Sequence, residues 1–172
     1  MRVHLMMSLI LTMVLPAVAM AQPSTLEAGL LKSMSIKVNH EGDIERDDSS
    51  GIALRNYKRN KYIKASPDLR YDYIDNYLLL KPATFLGHDL KVIEEEYMSA
   101  YIGCCVSPGV GVIIKQKGSL SNVKAFARKN RCSIEPVDFN THLRELGIKK
   151  PQAQTGNYYS LSCRERDIDR RN

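Results

Sequence analysis

The sequence predicts an α+β domain: a mostly antiparallel sheet, two short helices packed on one face, and a C-terminal half stapled by disulfides. Three observations predict it. Apolar and polar residues alternate with a period of two in several short runs, the mark of half-buried strands. Two helical patterns with capping residues appear only late, at 118–130 and 138–147. All four cysteines, Cys104, Cys105, Cys132 and Cys163, fall after residue 100. The order is strands first, then strand-helix-strand-helix-strand, which suits helices segregated to one side of an antiparallel sheet.

The elements follow in order. Met34, Ile36 and Val38 alternate with polar neighbours and predict a strand over 32–39. Residues 40–51 carry Glu41, Asp43, Glu45, Asp47 and Asp48 and read as an acidic loop or a hairpin turn. Residues 52–54 can start another strand. The stretch 55–64 is the most cationic, with Arg55, Lys58, Arg59, Lys61 and Lys64 interleaved with Tyr57 and Tyr62. It reads as a charged loop or edge strand, since lysine on an edge blocks pairing between sheets, or as a surface that grips anions. Over 69–80, Tyr71 and Tyr73 share a face and Asp75-Asn76 forms a tight turn.

A strand begins at Leu90 and runs towards Tyr97 through Glu94-Glu95-Glu96, which cannot all face a core. Residues 97–106 and 110–114 flank Ser107-Pro108-Gly109 and predict an uncharged hairpin at the sheet centre. Gly111 marks a bulge or a close approach of another segment. Ser119 or Ser121 caps a helix with Leu120, Val123, Phe126 and Ala127 on one face, and Asn130 ends it. Residues 132–137 form a strand. Asp138 caps a second helix carrying Phe139, Leu143 and Leu146, which Gly147 ends. The last strand is 158–163.

The first 21 residues stand apart. Arg2 gives a positive start, 5–14 is an apolar run, Pro16 breaks it, and Ala19-Met20-Ala21 fits a signal peptidase. Cleavage is expected before Gln22, and no cysteine follows that would take a lipid anchor. The apolar run is too short to span a bilayer. The remaining 151 of 172 residues suit one domain rather than two. The expected organisation is a signal peptide over 1–21, one exported domain over 22–163, and a charged, disordered tail over 164–172. Loss of Arg2 lowers the formal charge from +6 to +5, a modest basicity. The expected location is the periplasm or the exterior, where disulfides persist.

Four cysteines allow three pairings. A Cys104–Cys105 bond would need strain or a cis peptide, because neighbouring Cα atoms lie only ~3.8 Å apart. The other two pairings send each neighbour to a different partner, Cys132 or Cys163, on opposite faces of a central strand.

The chain lacks G-x-S-x-G, S-x-x-K and H-E-x-x-H, and its histidines beyond the leader are His40, His88 and His142. There is neither CxxC nor a histidine at ligand spacing, so no metal and no cofactor is expected. Nine tyrosines, no tryptophan and interleaved basic residues suit a protein interface instead. The leading expectation is a non-catalytic binding or inhibitor protein of the envelope, of immunity type, that neutralises a toxin or hydrolase. Its contact residues are expected among Arg55, Tyr57, Arg59, Tyr62, Tyr71, Tyr73, Glu94, Glu96 and Tyr97. The alternatives are a small hydrolase using His88 with a nearby carboxylate or thiol, or a module that binds anionic glycan or lipid. Nucleic acid is not an expected partner of an exported chain.

Overall fold

The computed structural model describes residues 24–47, 49–97, 106–148 and 155–169. The expected leader and the cysteines Cys104 and Cys105 lie outside the described residues. The class is the one expected: mixed helices with a mostly antiparallel sheet and a disulfide in the C-terminal half. Helix α1 (Thr25–Ser33) leads into a small two-stranded sheet of β1 (Ile36–Val38) and β2 (Ile44–Arg46). Helix α2 (Ser50–Arg59) follows. The main sheet contains β3 (Leu69–Tyr71), β4 (Ile74–Leu78), β5 (Thr84–Phe85), β6 (His88–Glu96), β7 (Gly109–Lys115), β8 (Ser133–Val137) and β9 (Tyr158–Arg164). Helices α3 (Ser121–Lys129), α4 (Phe139–Glu145) and α5 (Glu165–Ile168) complete the described elements. The strand order is β3-β4-β6-β7-β9-β8, antiparallel at every step, with β5 also paired to β6.

Strand β7 is central, as expected, because both its faces are buried. Val110, Val112 and Ile114 enter one core with Leu30, Leu54, Tyr57, Val123 and Ala127. Ile113 points the other way, towards Phe139, Leu143 and Leu146. Helices α1, α2 and α3 therefore cover one face and α4 the other, which corrects the expectation of two helices on a single face. The cause is the alternation along β7, whose apolar side chains on both faces each need a cover.

Two segments read as strands are helical. Met34 belongs to the end of α1 rather than to a strand, and its side chain is buried. Residues 52–59 form α2, whose buried face is Ala53, Leu54 and Tyr57. This i, i+1, i+4 spacing is helical, and the cations Arg55, Lys58 and Arg59 within and after it hid it. The partner of β7 is β6, not 97–106, most of which lies outside the described residues. The charged C-terminal segment is ordered as far as α5. Arg164 and Asp167 are buried, with the Asp167 carboxylate accepting from the Arg164 backbone N–H (2.8 Å) and the Ser162 hydroxyl (2.7 Å).

Cys132 is bonded to Cys163, a separation of 31 residues. This overturns both expected pairings, in which each would have bonded to Cys104 or Cys105. The reason is strand register. Ser133 lies opposite Ser162, so Cys132, one residue before β8, meets Cys163 on the neighbouring strand. Closing a loop of this size contributes at most about 3.7 kcal/mol in the chain-entropy treatment.

Candidate binding surface

The β3–β4 hairpin turns at Asp72 and Tyr73, three residues before the expected Asp75-Asn76. Both turn residues take positive φ, 44° and 68°. Mirror-image two-residue turns fit the twist of paired strands but favour Asn-Gly or Gly. Holding two side-chain-bearing residues there costs of order 1 kcal/mol each. The result is a pair of exposed tyrosines at the hairpin tip: Tyr71 is 67 % exposed and Tyr73 46 %. The Tyr73 carbonyl accepts from the Tyr97 backbone N–H (3.4 Å), which ties the hairpin tip to the end of β6.

The same register builds a charged cleft of about 450 Å³ against α2. Arg70 pairs with Asp75 across the hairpin, and Asp75 lies opposite Glu95 of β6. Arg70 grips the buried Asp75 carboxylate through two nitrogens, at 2.5 and 2.8 Å. The Tyr77 hydroxyl donates to the same carboxylate (3.1 Å) and accepts from Lys58 Nζ (2.9 Å). Lys58 Nζ also sits 4.6 Å from the centre of the Tyr77 ring, and the Arg70 guanidinium 5.6 Å from that of Tyr97. Burial pushes the Tyr77 phenol up, and the neighbouring Asp75 adds to it. Burial also pushes the Glu95 carboxyl above its ordinary range; Lys58 and Arg55 pull it back and Asp75 adds to the rise. Arg55 is exposed on α2 at the rim of the cleft.

Glu94 and Glu96 point to the opposite face, by strand alternation. There they meet the buried Arg164 side chain at 2.7 and 2.9 Å, and Glu96 also meets Arg166 at 2.8 Å. Gly111 gives the close approach expected of it. A Cβ at that position would lie 2.7 Å from the Glu94 carboxylate and 3.2 Å from the Arg164 guanidinium. This pair of carboxylates is thus consumed in an internal ion network.

Of the nine expected contact residues, the structure brings Arg55, Tyr71, Tyr73 and Tyr97 to one end of the sheet. Tyr57 is 1 % exposed and belongs to the core. Tyr62 packs edge-on against it with ring centres 5.9 Å apart, covered by Lys81. Arg59 is exposed at the end of α2, outside the cleft lining. Lys58, Arg70, Asp75 and Glu95 were missed as a group, because the misplaced turn put Arg70 and Asp75 out of register.

His88 is buried, 1 % exposed, with Nδ1 accepting from the Lys117 backbone N–H (2.9 Å) and a further backbone bond to Ser119. Its neighbour Asp89 is held by Lys117 at 2.6 Å. Burial lowers the His88 pKa from its ordinary 6.5. Stability tied to the neutral ring is therefore complete above about 6.5 and lost as pH falls towards the folded-state value. Urea midpoints should drop between about pH 7.5 and about pH 5.5 in the native chain, and less so in His88→Asn. Equal slopes in the two proteins would refute this.

Among the described residues, no three His, Cys, Asp or Glu side chains gather as metal ligands, and no helix is long and apolar enough to cross a membrane. No family model, curated protein or solved structure matches this chain.

Proposed function

We propose that the protein is a binding or inhibitor domain of the cell envelope, of the immunity type, which neutralises an envelope-acting toxin or hydrolase. The reading rests above all on Tyr71 and Tyr73, large side chains exposed at and beside a strained turn. Exposed tyrosine and arginine are among the residue types that contribute most to protein interfaces. Strain of this kind persists where the surrounding structure over-determines it, and it clusters at ligand clamps. The Cys132–Cys163 bond supports an oxidising compartment, in keeping with the leader-like first 21 residues. Burial of His88, with its ring tied to the backbone, weighs against the hydrolase alternative.

The test is capture from envelope extract with the immobilised mature chain and with a Tyr71→Ala/Tyr73→Ala double variant. Both sites are exposed, so the variant should fold with near-native stability. The expected result is one stoichiometric partner held by the native chain, with retention reduced at least about tenfold in the variant. No partner, or equal retention by both proteins, would overturn the reading.

A further inference from the structure

The cleft beside the tyrosine hairpin has its own chemistry. Arg55 and Lys58 reach it from α2, Arg70 from β3, Asp75 from β4, and Glu95 and Tyr97 from the end of β6. Three cations face two carboxylates, so the cleft is short of one negative charge. Only Arg70 has its carboxylate partner in place, at 2.5 Å. Lys58 bonds a neutral phenol, and Arg55 makes no ion pair among the described residues.

We propose that this cleft receives a carboxylate side chain from an acidic peptide segment of the protein partner, bound between Arg55 and Lys58 against the Tyr97 ring. The proposal rests on the protein-binding reading above and names the chemical class of group that anchors it. Two features select a single carboxylate over a phosphate or a polyanionic surface. Asp75 and Glu95 in the wall repel a second negative charge, and the cleft lies beside tyrosines suited to peptide contact rather than to a lipid headgroup. Glu95 is the residue that limits affinity: ionised, it opposes the incoming carboxylate.

The test uses the mature chain titrated with a terminally blocked Gly-Glu-Gly peptide, its Gly-Gln-Gly counterpart, inorganic phosphate, and vesicles containing an anionic phospholipid. The expected result is saturable binding of the Gly-Glu-Gly peptide alone. Arg55→Gln, on the surface, should weaken it about tenfold, the loss of one charge-assisted hydrogen bond. Glu95→Gln should strengthen it about fivefold by removing a like charge. Lys124→Gln, exposed on α3 and outside the cleft lining, should leave it unchanged. Equal binding of the Gly-Gln-Gly peptide, tighter binding of phosphate or vesicles, or no effect of Arg55→Gln would each overturn the proposal. If the peptide fails while tyrosine-dependent capture persists, the cleft assignment falls and the protein-binding reading stands. If capture fails, the broader reading falls whatever the peptide does.

Discussion

Gly109→Ala should be the most damaging small substitution in the chain, lowering stability by about 3–5 kcal/mol. Gly109 opens β7 with φ of +147°, a conformation that side-chain-bearing residues rarely adopt. A Cβ there would lie 2.5 Å from the Cys163 carbonyl oxygen and 2.7 Å from the Arg164 Cα. Both are backbone atoms of β9, the strand that carries the disulfide and the ion network, so neither can swing aside. Two further glycines supply a scale. At Gly111 the added Cβ meets the ends of flexible side chains, so Gly111→Ala should cost less. Gly118 has φ of +65° with nothing within 4 Å, so Gly118→Ala should cost only the backbone strain, about 1–2 kcal/mol. Urea unfolding of the three variants tests the order, and a Gly109→Ala protein no weaker than Gly118→Ala would contradict it.

Arg46→Met should lose a comparable amount, about 3–5 kcal/mol. The Arg46 side chain is buried and works as a staple between backbone segments. Nε donates to the Arg164 carbonyl (3.1 Å), Nη1 to those of Met34 (3.3 Å) and Asn130, and Nη2 to that of Arg131 (2.5 Å). These carbonyls close α1, α3 and β9, and those of the buried residues Met34, Asn130 and Arg164 lose this donor without Arg46. Burial pulls the Arg46 pKa down to about 10, against the attraction of Asp167 and Glu165. The group therefore stays charged near neutral pH. Arg46→Lys should recover less than half of the loss, because one ammonium cannot span four carbonyls as the planar fork does. Full recovery in Arg46→Lys would show that charge alone matters.

Much of the second half was legible because its signals are local. Asp138 caps α4 by accepting from the Asn140 and Thr141 backbone N–H groups, Asn130 ends α3, and Gly147 ends α4 with φ of +80°. Each of these needs only neighbours in sequence. The first half was harder. Helix α2 carries Arg55 between its core residues and Lys58 and Arg59 directly after the last of them, so charge masked a helical period. The β3–β4 turn uses Asp72-Tyr73, a pair without turn-forming glycine, and tertiary pairing with β6 overrides that preference. One misplaced turn was enough to separate Arg70 from Asp75 and to hide the cleft. The disulfide was missed for a related reason. Its partners meet through the β8–β9 register, which no spacing rule on four cysteines encodes. Burial of Tyr57 and exposure of Tyr71 likewise follow from which elements pack, since both read equally well as surface tyrosines in the sequence.

The most direct test of the interface is a photo-crosslinking residue placed at Tyr71 or, as control, at Val38. Val38 is equally exposed, at 68 %, but belongs to the separate two-stranded sheet. Irradiation of whole cells should yield one discrete adduct of the chain from position 71 and none from position 38. A discrete adduct from position 38 alone, or none from either, would contradict the assignment of the hairpin as the binding face.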